Sequence, residues 1–386
     1  MPLPLKYNFR NLVVRKGTTI ATALSLGITI AVFLMVMALA KGIDLTLETS
    51  GEPLNLLVLR NGSTAELNSD VTRENLNNLQ FLDGIGRDGD QPKVAPEIVT
   101  VIYKAHKGET QGGNVTIRGV TPMSSALRTG FNLVQGRMLK YGLAEAVVSK
   151  RMSDRFQGLD IGDKFKVGST EYSIVGIFEA GGKTFESEIW ADVNSLRNAL
   201  NRESYSSVLI RAKDSNALAA LAKRITNDPQ LQLKAEAEQD FYLEQQGPTT
   251  LSLKILAAFI AIIMSIGAGF AGMNTMYAAV AQRTREIGTL RVLGFGRASI
   301  LTSFVLEALV IAVIGVAIGV LLSLPLNFVS AGTSNNTTFS EVAFNFRVTP
   351  WLIAIAFVFG IAVGLFGSVL PSVQAARFKI VDALRS

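Results

Sequence analysis

The sequence predicts an α-helical membrane protein with an α+β extracytoplasmic domain carried on four transmembrane helices. Three observations lead there. The 386 residues are 48% hydrophobic and only 18% charged, and the apolar residues gather into four runs of about 20, the length that crosses a bilayer as a helix. Between the first and second runs lies a long polar region of short alternating segments and turn residues, the pattern of a folded domain. The basic residues, finally, are unevenly spread. Lys6, Arg10, Arg15 and Lys16 precede the first run with no acid among them; Arg283, Arg285, Arg291 and Arg297 face only Glu286; Arg377, Lys379 and Arg385 face only Asp382. The stretch from Asp44 to Gly247 is nearly balanced. Loops rich in Lys and Arg stay in the cytoplasm, which puts both ends and the second connection inside and the large domain outside. The net charge of +6 is thereby a matter of topology and calls for no nucleic-acid partner.

Residues 1–17 place Leu5, Phe9, Leu12 and Val13 on one helical face among basic residues, which predicts a cytoplasmic interfacial helix lying in the lipid headgroups. Residues 18–40 form transmembrane helix 1. Ala38-Leu39-Ala40 resembles a signal-peptidase site, but the uncharged run is longer than the 7–15 residues typical of a cleavable signal, so it reads as an uncleaved anchor. Residues 41–252 form the extracytoplasmic domain, long enough for two subdomains. Its strand candidates are Leu54–Leu59, Ile98–Tyr103, Val115–Val120, Ala146–Ser149, Lys164–Val167, Tyr172–Phe178, Glu188–Ala191 and Ser207–Arg211. Helices are expected over Lys150–Phe156, Val193–Leu200 behind the capping Asp192, and Asn216–Ile225. The polar stretch from Leu233 to Gly247 reads as a helical stalk. Residues 253–281 are transmembrane helix 2, 282–298 a short cytoplasmic helix, 299–329 helix 3, 330–350 a short extracytoplasmic loop, 351–370 helix 4 and 371–386 a cytoplasmic tail.

Several motifs invite a chemical reading that the surrounding residues do not support. Gly84-Ile-Gly-Arg-Asp-Gly89 fits G-x-G-x-x-G, but Asp90-Gln-Pro92 follows where a dinucleotide fold needs a helix, so a turn is expected. Gly182-Lys183-Thr184 looks like the end of a phosphate loop, but Ile177 stands where its first glycine belongs. With no cysteine and His106 as the single histidine, neither a metal cluster nor a Ser-His pair can form, and His106 reads as an exposed strand-edge residue. The spans themselves carry small residues four apart. Ser265 with Gly269, Ala268 with Gly272, Gly315 with Gly319 and Gly360 with Gly364 predict close helix packing, the main source of helix association in lipid. Glu307 is the one acid at membrane depth. Standing without a second acid or histidine in any span, it reads as a local polar contact rather than an ion path.

The run Gln282-Arg-Thr-Arg-Glu-Ile-Gly-Thr-Leu-Arg-Val-Leu-Gly294, the Glu307-Ala308-Leu309 start and the ending from Leu370-Pro371 to Ala383-Leu384-Arg385 resemble the FtsX/MacB-type permeases of ABC transporters. Asn114-Val-Thr-Ile-Arg-Gly119, Gln135-Gly-Arg137, Glu145-Ala-Val-Val-Ser149, Gly162-Asp163 and Tyr172-Ser-Ile-Val-Gly-Ile-Phe178 resemble the MacB-like periplasmic core domain. The resemblance implies a type VII ABC transporter-like fold. It implies a non-catalytic subunit of the inner membrane that binds no cofactor, with ATP and Mg on a partner ABC ATPase, and a second permease copy as likeness to a homodimer demands. The helix after span 2 would dock on that ATPase through Arg285, Glu286, Ile287, Leu290, Arg291 and Leu293, with Gly294 ending it. Only 17 residues precede the first span and no Walker motif occurs, so the ATPase is expected on a separate chain. The first span, the stalk and the second span would then relay movement outward. Efflux or export with a periplasmic adaptor and an outer-membrane duct is the expected work; activation of a cell-wall hydrolase by mechanotransmission, or lipoprotein extraction, are the rivals.

Overall fold

The computed structural model describes residues 14, 16–48, 50–334 and 341–377. The expected interfacial helix lies mostly outside this range, as do 335–340 and the last nine residues of the expected tail. The chain forms two compact units, one of residues 1–41, 251–329 and 346–386, the other of 42–250 and 330–345.

The path begins with helix α1 (Lys16–Glu48) and enters the second unit through β1 (Asn55–Arg60), α2 (Arg73–Gln80), β2 (Val94–Ala105), β3 (Gly112–Val120) and α3 (Pro122–Leu127). There follow β4 (Asn132–Gly136), β5 (Glu145–Ser149), α4 (Lys150–Arg155), β6 (Lys164–Val167), β7 (Thr170–Glu179) and β8 (Glu188–Asp192). The unit continues with α5 (Val193–Ala199), β9 (Ser207–Arg211), α6 (Ser215–Asn227) and β10 (Leu233–Ala237). The remaining elements are α7 (Glu238–Gln282), α8 (Thr284–Val292), α9 (Arg297–Ser323), the strands β11 (Ser330–Ser334) and β12 (Glu341–Asn345), and α10 (Pro350–Arg377).

Each short helix starts where a side chain satisfies its first free amides. Thr72, Ser149, Asp192 and Asp214 accept from the backbone N–H three residues on, and Thr121 and Ser124 form a reciprocal capping box. Strands fill the space between. The ten-stranded sheet runs β10-β1-β9-β2-β3-β8-β5-β7-β4, with β6 on β7. β2 belongs to two halves of it. Its residues Val94–Glu97 pair with β9, and Ile98–Ala105 pair with β3. Strand alternation sends Ile117, Ile189 and Val148 to one face, packed with Leu196 and Tyr172. It sends Trp190, Val147 and Val120 to the other, where Trp190 packs on Phe131, Phe178 and Phe185.

Two expectations change here. Leu233–Ala237 is a strand, not the start of a helical stalk, because it completes the edge of the sheet against β1; the helix begins only at Glu238. The segment expected as a plain loop between spans 3 and 4 holds the β11/β12 hairpin, which seats on the second unit. Arg155 and His106 both reach the Glu341 carboxylate, His106 at 3.4 Å, while Ser187 Oγ accepts from the Ala343 N–H and Arg151 donates to its carbonyl. His106 is therefore half-buried and stacked on Phe156 rather than exposed. The two glycine motifs are turns: Gly84 and Gly89 hold positive φ, as do Gly181 and Gly182. Beside Gly182 the Glu186 carboxylate takes the backbone N–H groups of Ala180 and Gly182, filling the place a phosphate would need.

Among the described residues four helices are long and apolar enough to cross a membrane, Lys16–Thr46, Leu251–Gln282, Arg297–Phe328 and Pro350–Arg377. Leu26, Ile30 and Leu34 of α1 pack on Ala312 and Val316 of α9 and on Ala356 and Val363 of α10. Glycines set these distances. A Cβ at Gly315 would stand 3.0 Å from Leu26, one at Gly319 2.6 Å from Ile30, one at Gly364 2.6 Å from Ala312, and one at Gly269 2.9 Å from Phe366. Gly360 is likewise closed off by Val316, whereas Gly272 faces open space. Gly27 and Gly367 make equally close approaches although neither stands in one of the spaced pairs read from the sequence. A cavity of about 30 Å³ is lined from all four helices, by Thr22, Gly272, Ala308 and Gly364 among others. That is space on the scale of ordered water at this place.

Candidate functional site: the helix between spans two and three

α7 ends at Gln282 because Arg283 leaves the helical conformation (φ −111°, ψ 15°), and α8 restarts at Thr284. The Arg283 side chain then turns inward. Its Nη1 donates to Glu307 Oε2 on α9 at 3.0 Å, its Nε stands 3.3 Å from Glu286, and its guanidinium lies over the Phe304 ring, 5.3 Å from the centroid. Arg283 and Glu307 are both about 95% buried, at 5% and 4% exposure. A buried charge is tolerated only when paired, so this pair pins the start of α8 to the wall of α9. Glu307 is thus the local polar contact expected of it, and Arg283 is the partner that sequence reading did not supply. The signal was present: a lone acid at membrane depth needs a cation within reach, and Arg283 was counted only toward topology.

One side of α8 is committed to the bundle. Ile287 is 3% exposed and packs with Met276, Val280, Ile300, Phe304 and Ala375. Ile287 therefore leaves the expected docking face: its apolar side chain is consumed in holding the helix down. Leu290 and Arg291 are half-buried. The surface that α8 turns outward consists of Arg285, Glu286, Thr289, Val292 and Leu293, the last 70% exposed. The helix stops by a Schellman closure. Gly294 takes φ +92°, its N–H donates to the Arg291 carbonyl and the Phe295 N–H reaches back to that of Leu290. Any side chain at Gly294 would be strained in this conformation. The result is a short rod, held at its head by an ion pair and along one flank by Ile287, with apolar and charged groups together on its outer side. Such a mixed surface suits a protein partner, apolar residues filling a groove while charges fix orientation.

Residues 258–380 match the FtsX-like permease C-terminal model, and residues 19–228 match the MacB-like periplasmic core domain. The curated protein "Macrolide export ATP-binding/permease protein MacB" from Bordetella avium is 24% identical over 78% of this chain and 48% of its own length. The protein of the same description from Neisseria meningitidis is 25% identical over 86% of this chain and 56% of its own. The chain spans about half the length of these relatives. Among solved structures, the extracellular domain of the noncanonic ABC-type transporter YknZ from Gram-positive bacteria is 17% identical, covers 47% of this chain and 99% of that one, and superposes with a TM-score of 0.36. With one model covering more than half of the chain and a second reaching from within the second span through α8 and the last two spans, the chain belongs to the FtsX/MacB-type ABC transporter permeases.

Proposed function

We propose that this chain is the permease subunit of a MacB-like ABC system of the bacterial inner membrane, which couples ATP hydrolysis on a separate ATPase subunit to movement of its outer domain and so to export. The observation that carries the reading is α8, a rod clamped to the bundle by Arg283 and Ile287 while Arg285, Glu286, Val292 and Leu293 face outward. A push on that outer face has nowhere to dissipate within the helix and passes to α9 through the buried pair. The chain itself hydrolyses nothing in this reading; ATP and Mg belong to the partner, two permease copies pair with two ATPases, and the termini lie in the cytoplasm as the basic residues dictate. The macrolide export named for the relatives supports efflux of a small amphipathic cargo over activation of a hydrolase. In this reading transport is driven through the outer domain, with a periplasmic adaptor and an outer-membrane duct.

The experiment is co-purification of the ABC ATPase that associates with the wild-type chain, with the Leu293→Asp variant and with Arg285→Glu. Both should lose the ATPase, because a carboxylate or reversed charge on the exposed face cannot enter a groove shaped for Leu and Arg, while the permease remains folded. Undiminished ATPase in both would refute the docking face.

A further inference from the structure

Six ionisable side chains meet inside the second unit, on the sheet face that carries Trp190. Arg118 on β3 uses all five of its N–H donors: Nε and Nη2 reach Glu188, Nη1 and Nη2 reach Glu66, and Nη1 also reaches Glu97, at 2.7–2.9 Å. Arg128, after α3, forks onto both oxygens of Glu97. Ser207 donates to Glu66 and the Trp190 indole N–H to Glu188. All of these groups are at most 4% exposed. The fourth carboxylate is Glu238, the first residue of α7, fully buried. Its Oε2 accepts from the Glu52 backbone N–H at 3.0 Å and from Asn55 Nδ2 at 2.9 Å. Its Oε1 accepts nothing, and it stands 3.8 Å from Arg128 Nε, which donates to nothing.

The charges do not balance. Two fully buried guanidinium groups face four carboxyl groups, and a third, that of the half-buried Arg211, stops one side chain short of them with its Nε donating to Asn55 Oδ1; three of the carboxylates already take every N–H of Arg118 and both terminal nitrogens of Arg128. An isolated charge in such a site is neutralised rather than tolerated. The 3.8 Å between Glu238 Oε1 and Arg128 Nε exceeds the separation of under about 3 Å at which a charge-assisted bond closes, so Glu238 is the one carboxyl of the four whose charge no guanidinium N–H compensates at bonding distance.

We propose that Glu238 is a proton-binding residue that sets the seat of α7: it holds a proton while the gap to Arg128 is open, and on losing it closes onto Arg128 Nε. In that step the O–H bond at Glu238 breaks, the proton passes to solvent, and the carboxylate accepts the Arg128 Nε–H, drawing the first turn of α7 toward β2. The other groups facing the site are Glu97 on β2, Arg118 on β3, Glu66, Glu188 on β8, Arg211 on β9 through Asn55, Glu52, whose carboxylate is held by Lys183, and Tyr242 one turn further along α7. Burial pushes the Glu238 carboxyl up, and Arg128 beside it only partly offsets this. Burial likewise pushes the Tyr242 phenol up, so it stays neutral across the working range. Because the folded-state value at Glu238 lies above the unfolded one, its proton is held more tightly in the folded chain. The stability it contributes is complete below the ordinary carboxyl range and is lost as pH rises through the folded value.

The test uses the full chain in nanodiscs with Trp351→Phe, which leaves Trp190, hydrogen-bonded to Glu188 in the same cluster, as the single tryptophan. Infrared difference spectra across a pH titration should show a protonated carboxylic-acid carbonyl band that disappears above the usual carboxylate range, with Trp190 emission shifting at the same midpoint. Glu238→Gln keeps the acceptor for Glu52 and Asn55 and should abolish both signals. Arg128→Met removes the group the carboxylate closes onto, and should move the midpoint upward. A wild-type chain without the band, a band that survives in Glu238→Gln, or a midpoint unmoved in Arg128→Met would each overturn the proposal.

Discussion

Replacing Glu307 by Ala tests the clamp on α8 most directly. At the 3.0 Å separation of Arg283 Nη1 and Glu307 Oε2, two unit charges attract by about 5.5 kcal/mol at an effective dielectric of about 20. Burying both ions costs several kcal/mol in return, so the net value of the intact pair is small, whereas removing one partner strands the other at a cost of about 3–5 kcal/mol. Arg283 would keep its contacts with Glu286 and Phe304, which places the expected loss near the lower end, about 3 kcal/mol. Arg283→Leu strands Glu307 with a similar loss. The double variant Arg283→Leu/Glu307→Leu buries no charge and should lose only about 1 kcal/mol, which against two single losses of about 3 kcal/mol is a coupling energy of about 5 kcal/mol. Denaturant unfolding of the purified permease in detergent measures the cycle, and hydrogen exchange of the α8 amides should rise in both single variants only. Single losses below about 0.5 kcal/mol, or losses that simply add in the double variant, would refute the clamp.

Gly319→Leu should yield little folded permease by size-exclusion, because even a Cβ there would stand 2.6 Å from Ile30, whereas Gly272→Ala, which meets nothing within 4 Å, should behave as wild type. In the outer domain, Arg128 and Arg118 overcome the burial of Glu97 and hold its carboxyl down at about 2. Its contribution is therefore present above the unfolded range near 4.5 and lost as pH falls toward 2; Glu97→Gln should be destabilised at neutral pH by about 3–5 kcal/mol and show a flatter acid-unfolding curve. Cysteines placed at Ser63 and Ser299 in this cysteine-free chain should react with an impermeant maleimide from outside and from inside respectively, and the opposite pattern would overturn the proposed orientation.

Much of the fold is written in patterns that local physics reads well. The strands with alternating or β-branched residues, such as Tyr172–Phe178 and Ser207–Arg211, stand close to their expected limits because the burial of their apolar side chains leaves them no alternative, and each of the four apolar runs lies within a helix. Segments whose state depends on a distant partner were not legible. Leu233–Ala237 has helix-compatible residues and becomes a strand only because β1 offers an edge, and Ser330–Asn345 gains its hairpin by resting Glu341 on Arg155 and His106. The same limit applies to the candidate site. The amphipathic pattern placed Ile287, Leu290 and Leu293 on one stripe, but periodicity cannot tell which edge of that stripe the protein's own bundle takes. Ile287 went inward and Leu293 outward, and the partner that decided it, Arg283 reaching Glu307, lies 24 residues away.

The strand shared between the two half-sheets has a consequence for how this domain can change over evolutionary time. Because Val94–Glu97 is in register with β9 and Ile98–Ala105 with β3, one inserted residue near Glu97 cannot be absorbed by sliding. It would turn either Ala95 and Glu97, or Ile98 and its successors, to the wrong face of their half. Insertions in this domain are then tolerated in the turns rather than along this strand, and β2 serves as the ruler against which both halves of the domain are built.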